Sequence, residues 1–243
     1  MQISATIVTL NEERNIARAI GSLRCADEIV VVDSGSTDGT REIAARMGAR
    51  VIEEPWRGYA GQKNFAACSA ANDWILSIDA DEELTEALAA EIAQLKTEGA
   101  RFDGYSFPRL AQYLGRWIRH SGWYPDRKVR LYNRRKAEWV GEYVHESVRV
   151  RGASGELHGD LLHYTCASLS EHLRTLDRYT TLAARGTAVS LTRLALDPAW
   201  TFFRTYVLQR GFLDGRQGLA IAWMAALYTF LKYAKACENS PPR

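Results

Sequence analysis

Three short β-branched runs, at residues 3–10, 28–33 and 74–78, each break off into a polar loop, and the segments between them carry helical spacing. Ile16, Ala19, Ile20 and Leu23 recur at i, i+3, i+4 and i+7, so the first two runs are joined by a helix into a β-α-β unit. Residues 40–47 and 59–71 read as further helices, and 50–53 as a short strand. Strands that alternate with helices in this way predict a parallel sheet covered on both faces. The expected class is therefore α/β, a Rossmann-like, mostly parallel sheet flanked by helices.

In open sheets of this kind ligands bind beyond the carboxyl ends of the strands. Three polar clusters fall at such ends: Thr9-Leu10-Asn11-Glu12-Glu13, the run from Asp33 to Thr40, and Asp79-Ala80-Asp81. The last is the most telling. An Asp-x-Asp turn at a strand tip can hold a divalent cation against a diphosphate, although acids followed by Glu82-Glu83-Leu84-Thr85-Glu86 could also simply cap a helix. Asp33 could contact a base or ribose, or with Asp38 could merely end the strand and cap the helix near Thr40. Lys63 sits about one helical turn from Tyr59 and could face the same cleft, or be an ordinary solvated lysine.

Beyond residue 100 the pattern changes. A helix over 84–98 precedes strands at 104–108 and 128–132, which flank an aromatic, basic loop holding Trp117, His120, Trp123, Tyr124 and Asp126. From Ser168 onward the signal is helical, with Pro198 expected to open one helix and Gly215 to precede another. This predicts a nucleotide-binding domain over 1–165 and a helical extension over 166–243.

The chain has 243 residues, enough for one large domain, and its four cysteines are scattered without a Cys-x-x-Cys pair. Neither a disulfide framework nor a zinc cage is expected. The N-terminus enters a strand without a secretory pattern, and the apolar stretch 218–231 is shorter than the ~20 residues that span a bilayer. A cytoplasmic protein follows. Net charge is +2, but the first hundred residues carry −8 and the remainder +10. The acidic half suits metal and nucleotide and the basic half an anionic partner, unless the arginines are only solvated faces. Nucleic acid is disfavoured, because the basic residues form no single recognition element.

Taken in order, Thr9-Leu10-Asn11-Glu12, the run from Val31 to Thr40, Gly61-Gln62-Lys63-Asn64 and Asp79-Ala80-Asp81 resemble the family 2 inverting glycosyltransferases. In the second half, the segments from Trp123 to Tyr132, Val144-His145-Glu146-Ser147, Leu162-His163-Tyr164 and Arg210 to Gly215 look like the lipopolysaccharide core β-glucosyltransferases of the WaaE-like subfamily. The resemblance implies a GT-A fold, a UDP-sugar donor and Mg2+ or Mn2+. It implies that Thr9, Asn11, Glu12, Asp33, Ser36, Asp38, Lys63 and Asp79 serve the nucleotide, and that Asp81 with Asp79 serves the metal. His163 could complete the metal shell, or be an ordinary core histidine.

Inversion requires a carboxylate to take the acceptor's proton on the face opposite the leaving group, while a cation offsets charge on the diphosphate. Glu146 is the first choice for that base and Asp126 the second; a structural partnership of Glu146 with Arg149 or Arg151 is the alternative. Arg127 and Arg130, with Arg134 and Arg135, could grip phosphate, and Trp123, beside Trp117 and Tyr124, could offer a flat face to a sugar. His145 neighbours the base and is a candidate acceptor contact.

Helices near 199–213 and 216–236 interleave aromatics with arginines and lysines, which suits the inner face of the cytoplasmic membrane and a glycolipid or oligosaccharide acceptor there. Packing on the catalytic domain or in a homodimer is the other account of them. Three rivals stand beside a core-oligosaccharide transferase. A polyprenyl-phosphate glycosyltransferase would share the donor site, and an inactive sugar- or membrane-binding module would keep the fold without turnover. A nucleotidyltransferase would want a glycine-rich loop after the first strand, which is missing here.

Overall fold

The computed structural model describes residues 1–141, 146–166, 168–184 and 190–238. They form two compact units: Met1–Arg109 with Asp126–His163, and Leu110–Pro125 with Tyr164–Arg243.

The first unit opens with β1 (Ile3–Thr9), α1 (Ile16–Ser22), β2 (Glu28–Asp33), α2 (Thr40–Arg46), β3 (Arg50–Glu53), α3 (Tyr59–Ser69) and β4 (Trp74–Asp79). β3, β2, β1 and β4 lie side by side in that order, all parallel. The register pairs Thr9 with Asp33 and Val8 with Asp79, which brings the three polar strand tips to one edge. That is the arrangement expected from the sequence.

The chain continues with β5 (Glu82–Leu84), α4 (Glu86–Glu98), β6 (Gly104–Tyr113), β7 (Arg116–Trp117), β8 (Asp126–Asn133), β9 (Ala137–Val140), β10 (Ser147–Val150), β11 (Ser154–Glu156) and β12 (Leu161–Cys166). β8 runs antiparallel to β4 and to β6, so the parallel half of the sheet is extended by an antiparallel half. β9 and β10 make a separate two-stranded ribbon. Glu82 and Glu83 therefore do not cap a helix. They belong to a strand antiparallel to β12, and the helix starts later, with the Thr85 side chain accepting from the Leu88 amide.

Alternation along each strand splits the core between the two faces of the sheet. Ile3, Ile7, Val31, Leu76 and Ile78 pack with Ile16 and Ile20 of α1 and Leu88 and Ile92 of α4. Val30, Val32 and Ile75 pack on the other side with Ala66 and Ala67 of α3 and with Tyr132 and Trp139. The small residues of α3 let it lie close on the sheet, and this fixes the depth at which its Lys63 emerges.

In the second unit, the hairpin of Gln112–Tyr113 with β7 is followed by α5 (Leu169–Ala183), α6 (Leu191–Phe203) and α7 (Gly215–Glu238). Ser168 and Ser190 cap α5 and α6 through their side chains. Pro198 lies inside α6 rather than at its start, and a π-helical turn, Arg204–Leu208, carries on directly from that helix. A 3-10 turn, Gly211–Asp214, then ends in buried Asp214, which accepts from the Arg119 and His120 amides. Among the described residues no helix is long and apolar enough to cross a membrane.

Candidate active site

The loops after β1 and β2 are laced together by side chains. Asn11 turns through φ 57°, its amide donates to Ser36 Oγ at 2.8 Å, and its Oδ1 accepts from the Thr37 amide at 2.8 Å. The Glu12 amide donates to Thr40 Oγ1, and the Glu13 carboxylate accepts from the Gly39 amide. Asp33 is fully buried and spent within its own loop: Oδ1 accepts from the amides of Gly35 and Ser36, and Oδ2 from the Ser36 hydroxyl. Asp38 does the same for the start of α2, accepting from Thr40 and from the Glu13 amide, and these bonds hold its carboxyl below the usual range.

Above this lattice opens a cleft of about 590 Å³. Thr9, Glu12, Lys63, Asp79, Asp81 and Glu146 all line it, so six of the residues picked from the sequence converge on one space. Burial raises the Glu12 carboxyl, with the Asn15 hydrogen bond working against it. Trp56 and Tyr59 form an edge-on aromatic pair, with centroids 4.9 Å apart, at the same cleft. Sequence reasoning missed Trp56; its position just before Gly58, the positive-φ residue at the head of α3, was the available signal.

The floor is a run of alternating charges. Lys63, 2 % exposed, places Nζ 2.8 Å from Asp79 Oδ1 and 3.0 Å from Glu146 Oε1, over the Trp139 ring. Arg130 bridges Asp79 Oδ2 at 3.0 Å and Glu82 Oε1 at 2.8 Å, and Glu82 is reached in turn by Arg109 at 3.5 Å. Burial disfavours ionised Asp79, but the Arg130 guanidinium and the Lys63 ammonium outweigh it and hold the carboxyl far below the ordinary carboxylate range. Glu82 also accepts from the Asp79 amide, so it fixes both the turn and the cation beside it. Only its position next to the Asp-x-Asp turn hinted at this.

Asp81 points elsewhere, to His163, with Oδ2 and Nε2 3.2 Å apart. Among the described residues no group of three or more His, Cys, Asp and Glu side chains is placed to enclose an ion. The Asp81 carboxylate is the kind of ligand Mg2+ or Mn2+ takes beside substrate phosphates and water, and His163 is the side chain that could join it. Both oxygens of Asp79 are met here by cations of the protein itself, Lys63 and Arg130.

Other candidates are not among the residues that line the cleft. Asp126 is paired with Arg109 and Lys128, and although burial opposes it, Arg109 draws its carboxyl below the usual range. Arg127 bonds Glu156 and the Leu157 carbonyl, and Arg134 bonds the carbonyls of Ala67 and Ala70. Arg134 and Arg135 also pair with Asp73. Trp123 belongs to the second unit, edge-on to Tyr113. His145 lies outside the described residues.

A sheet whose parallel strand tips open onto an acid-lined cleft is the arrangement expected of the GT-A fold. Residues 4–156 match the profile of the family described as Glycosyl transferase family 2, and the chain belongs to that family. Two curated relatives extend the match along nearly the whole chain. The lipopolysaccharide core biosynthesis glycosyltransferase LpsC of Rhizobium meliloti is 34% identical over 98% of this chain and 93% of its own length. An uncharacterised glycosyltransferase of Rickettsia typhi is 35% identical over 98% of this chain and 88% of its own. The crystal structure of Staphylococcus aureus TarS residues 1–349 shares the fold, with a TM-score of 0.50 at 14% identity, covering 100% of this chain and 93% of that one. The family read from the sequence motifs therefore holds.

Proposed function

We propose that the enzyme moves a hexose, glucose by its subfamily resemblance, from a UDP-sugar to a hydroxyl of a cell-envelope glycan of the lipopolysaccharide inner-core type, with inversion. One observation carries the chemical part of this reading. Glu146, at the cleft wall, has Oε1 held by Lys63, while Oε2 is buried and has no hydrogen-bond partner among the described residues. A buried carboxylate oxygen left unpaired is costly in a resting protein and is the arrangement a general base needs. Asp126, whose oxygens are taken by Arg109 and Lys128 and which does not line the cleft, is the weaker candidate.

In this reading Glu146 Oε2 accepts the proton of the acceptor hydroxyl as that oxygen attacks the anomeric carbon. Lys63 orients the carboxylate and keeps it from turning away. Asp81 and His163 would hold the divalent cation, which when bound offsets negative charge on the departing diphosphate. Thr9, Glu12 and the Trp56–Tyr59 pair offer the donor nucleotide polar and stacking contacts, while Asn11, Asp33, Ser36 and Asp38 keep the loops around it in shape. The acceptor class is supported by the similarity to LpsC, whose name assigns it to lipopolysaccharide core biosynthesis. Such an enzyme would work in the cytoplasm, where nucleotide sugars are supplied, at the inner face of the membrane that carries a glycolipid acceptor.

The test is transfer of labelled glucose from UDP-glucose to purified inner-core oligosaccharide, with the anomeric configuration of the product read by NMR. A β-linked product dependent on Mn2+ or Mg2+ supports the proposal. Transfer only to a polyprenyl phosphate, or retention of configuration, defeats it.

A further inference from the structure

The second unit carries an apolar face to which the proposed mechanism assigns no residue. On α6, Leu196, Trp200 and Phe203 recur at i, i+4 and i+7, and Val207 continues the line into the π turn. On α7, Leu219, Trp223 and Phe230, at i, i+4 and i+11, also fall on one stripe. Trp223 abuts α6 through the half-buried Phe202, whose ring lies 4.7 Å away, and Tyr206 meets Phe212 of the 3-10 turn. Leu196, Trp200 and Trp223 are 66%, 55% and 62% exposed. Single exposed apolar residues are ordinary, but large apolar side chains exposed together on adjoining elements mark a binding face.

Charge identifies what it binds. From residue 192 to 231 the exposed charged side chains are Arg193, Arg204, Arg210 and Arg216. The two acids of that stretch are turned inward: Asp197 accepts from the Tyr233 hydroxyl at 2.7 Å, and buried Asp214 holds the loop at Arg119–Ser121. A second copy docking on this face by two-fold symmetry would set arginine against arginine, with no exposed acid between residues 192 and 231 to offset it. An anionic bilayer presents the opposite charge and takes Trp, Phe and Leu into its interfacial layer.

We propose that this α6–α7 face seats the enzyme on an anionic lipid surface, with Trp200, Phe203 and Trp223 among the headgroups and the four arginines on lipid phosphates. It deepens the reading above, on which it rests, by giving an enzyme with a glycolipid acceptor a docking surface of its own.

The full-length chain should float with vesicles of phosphatidylcholine containing phosphatidylglycerol and, by about tenfold or more, less well with phosphatidylcholine alone. Trp200→Ser with Trp223→Ser should lose most of that binding, and Arg193→Glu with Arg216→Glu should lose the preference for anionic lipid. Both variants should transfer sugar to a water-soluble core oligosaccharide at the wild-type rate, which also shows that they fold. Absence of wild-type flotation, or undiminished flotation of the tryptophan variant, overturns the proposal. So does a tryptophan variant that turns a dimer into a monomer by light scattering while still binding vesicles. If vesicle binding follows expectation and the soluble oligosaccharide is not a substrate, the acceptor reading fails and the docking face stands.

Discussion

Lys63 Nζ stands 3.0 Å from one oxygen of Glu146 and 2.8 Å from Asp79, tying an acid on one side of the cleft to the tip of a central strand. The ammonium is almost wholly buried and sits on the Trp139 ring, so it has no solvent to turn to. The pair does two things. It orients Glu146, and on the proposed mechanism it leaves the other carboxylate oxygen for a substrate proton.

Lys63→Met should therefore harm both stability and turnover. Removing one member of a buried ion pair costs about 3–5 kcal/mol, and misplacing a catalytic group by ~1 Å can cost about 10²-fold in rate. Denaturant melts and kcat measured on the folded fraction check the two effects separately. A variant as stable and as fast as wild type would show that the contact is idle.

Asp79 gives a pH dependence with a defined sign. Its folded-state carboxyl is held below the ordinary value of about 3.9, so its contribution is fully present above that pH and fades as acid protonates the folded form. The melting-temperature gap between wild type and Asp79→Asn should accordingly be largest near neutrality and narrow below about pH 4. A gap that stays constant or widens in acid contradicts the ion-pair account.

The cation site should respond to Asp81 and His163 but not equally to Asp79. Asp81→Asn and His163→Ala should each weaken Mn2+ binding in the presence of UDP by about tenfold or more, the scale seen when groups around a metal are removed. Titration calorimetry measures this without turnover. Unchanged Mn2+ affinity in both variants would place the ion elsewhere.

Trp56 is half exposed, so Trp56→Ala should leave the fold intact and act on the donor. Loss of a stacked base contact is worth about 1–3 kcal/mol, which is roughly five- to a hundredfold in donor KM. An unchanged KM would mean that the ring does not meet the nucleotide.

Much of this was legible in the sequence, because the signals were local. A β-branched run that stops at an acid, repeated at Asp33 and Asp79, locates strand tips, and the helices between them force those tips to one edge. The long-range pairings were not legible. Glu82 looks like a helix-capping acid until Arg130 and Arg109, about thirty to fifty residues away, meet it under the cleft and draw it into a strand. Arg130 looks like a phosphate clamp until the same contact shows that its charge is engaged within the protein. Pro198 reads as a helix start because its ring fits the first turn best, yet the Ser190 cap starts α6 earlier and the helix runs through it. Each miss came from judging a residue by its neighbours in sequence where partners in space decided its role.

The central claim is that Glu146 takes the acceptor's proton, and Glu146→Gln tests it most directly, since the amide keeps the shape and loses the base. UDP-sugar affinity, measured by calorimetry with Mn2+ present, should stay near wild type while transfer to the core acceptor falls about 10²–10⁴-fold. A Glu146→Gln enzyme that transfers sugar at full speed would contradict the account.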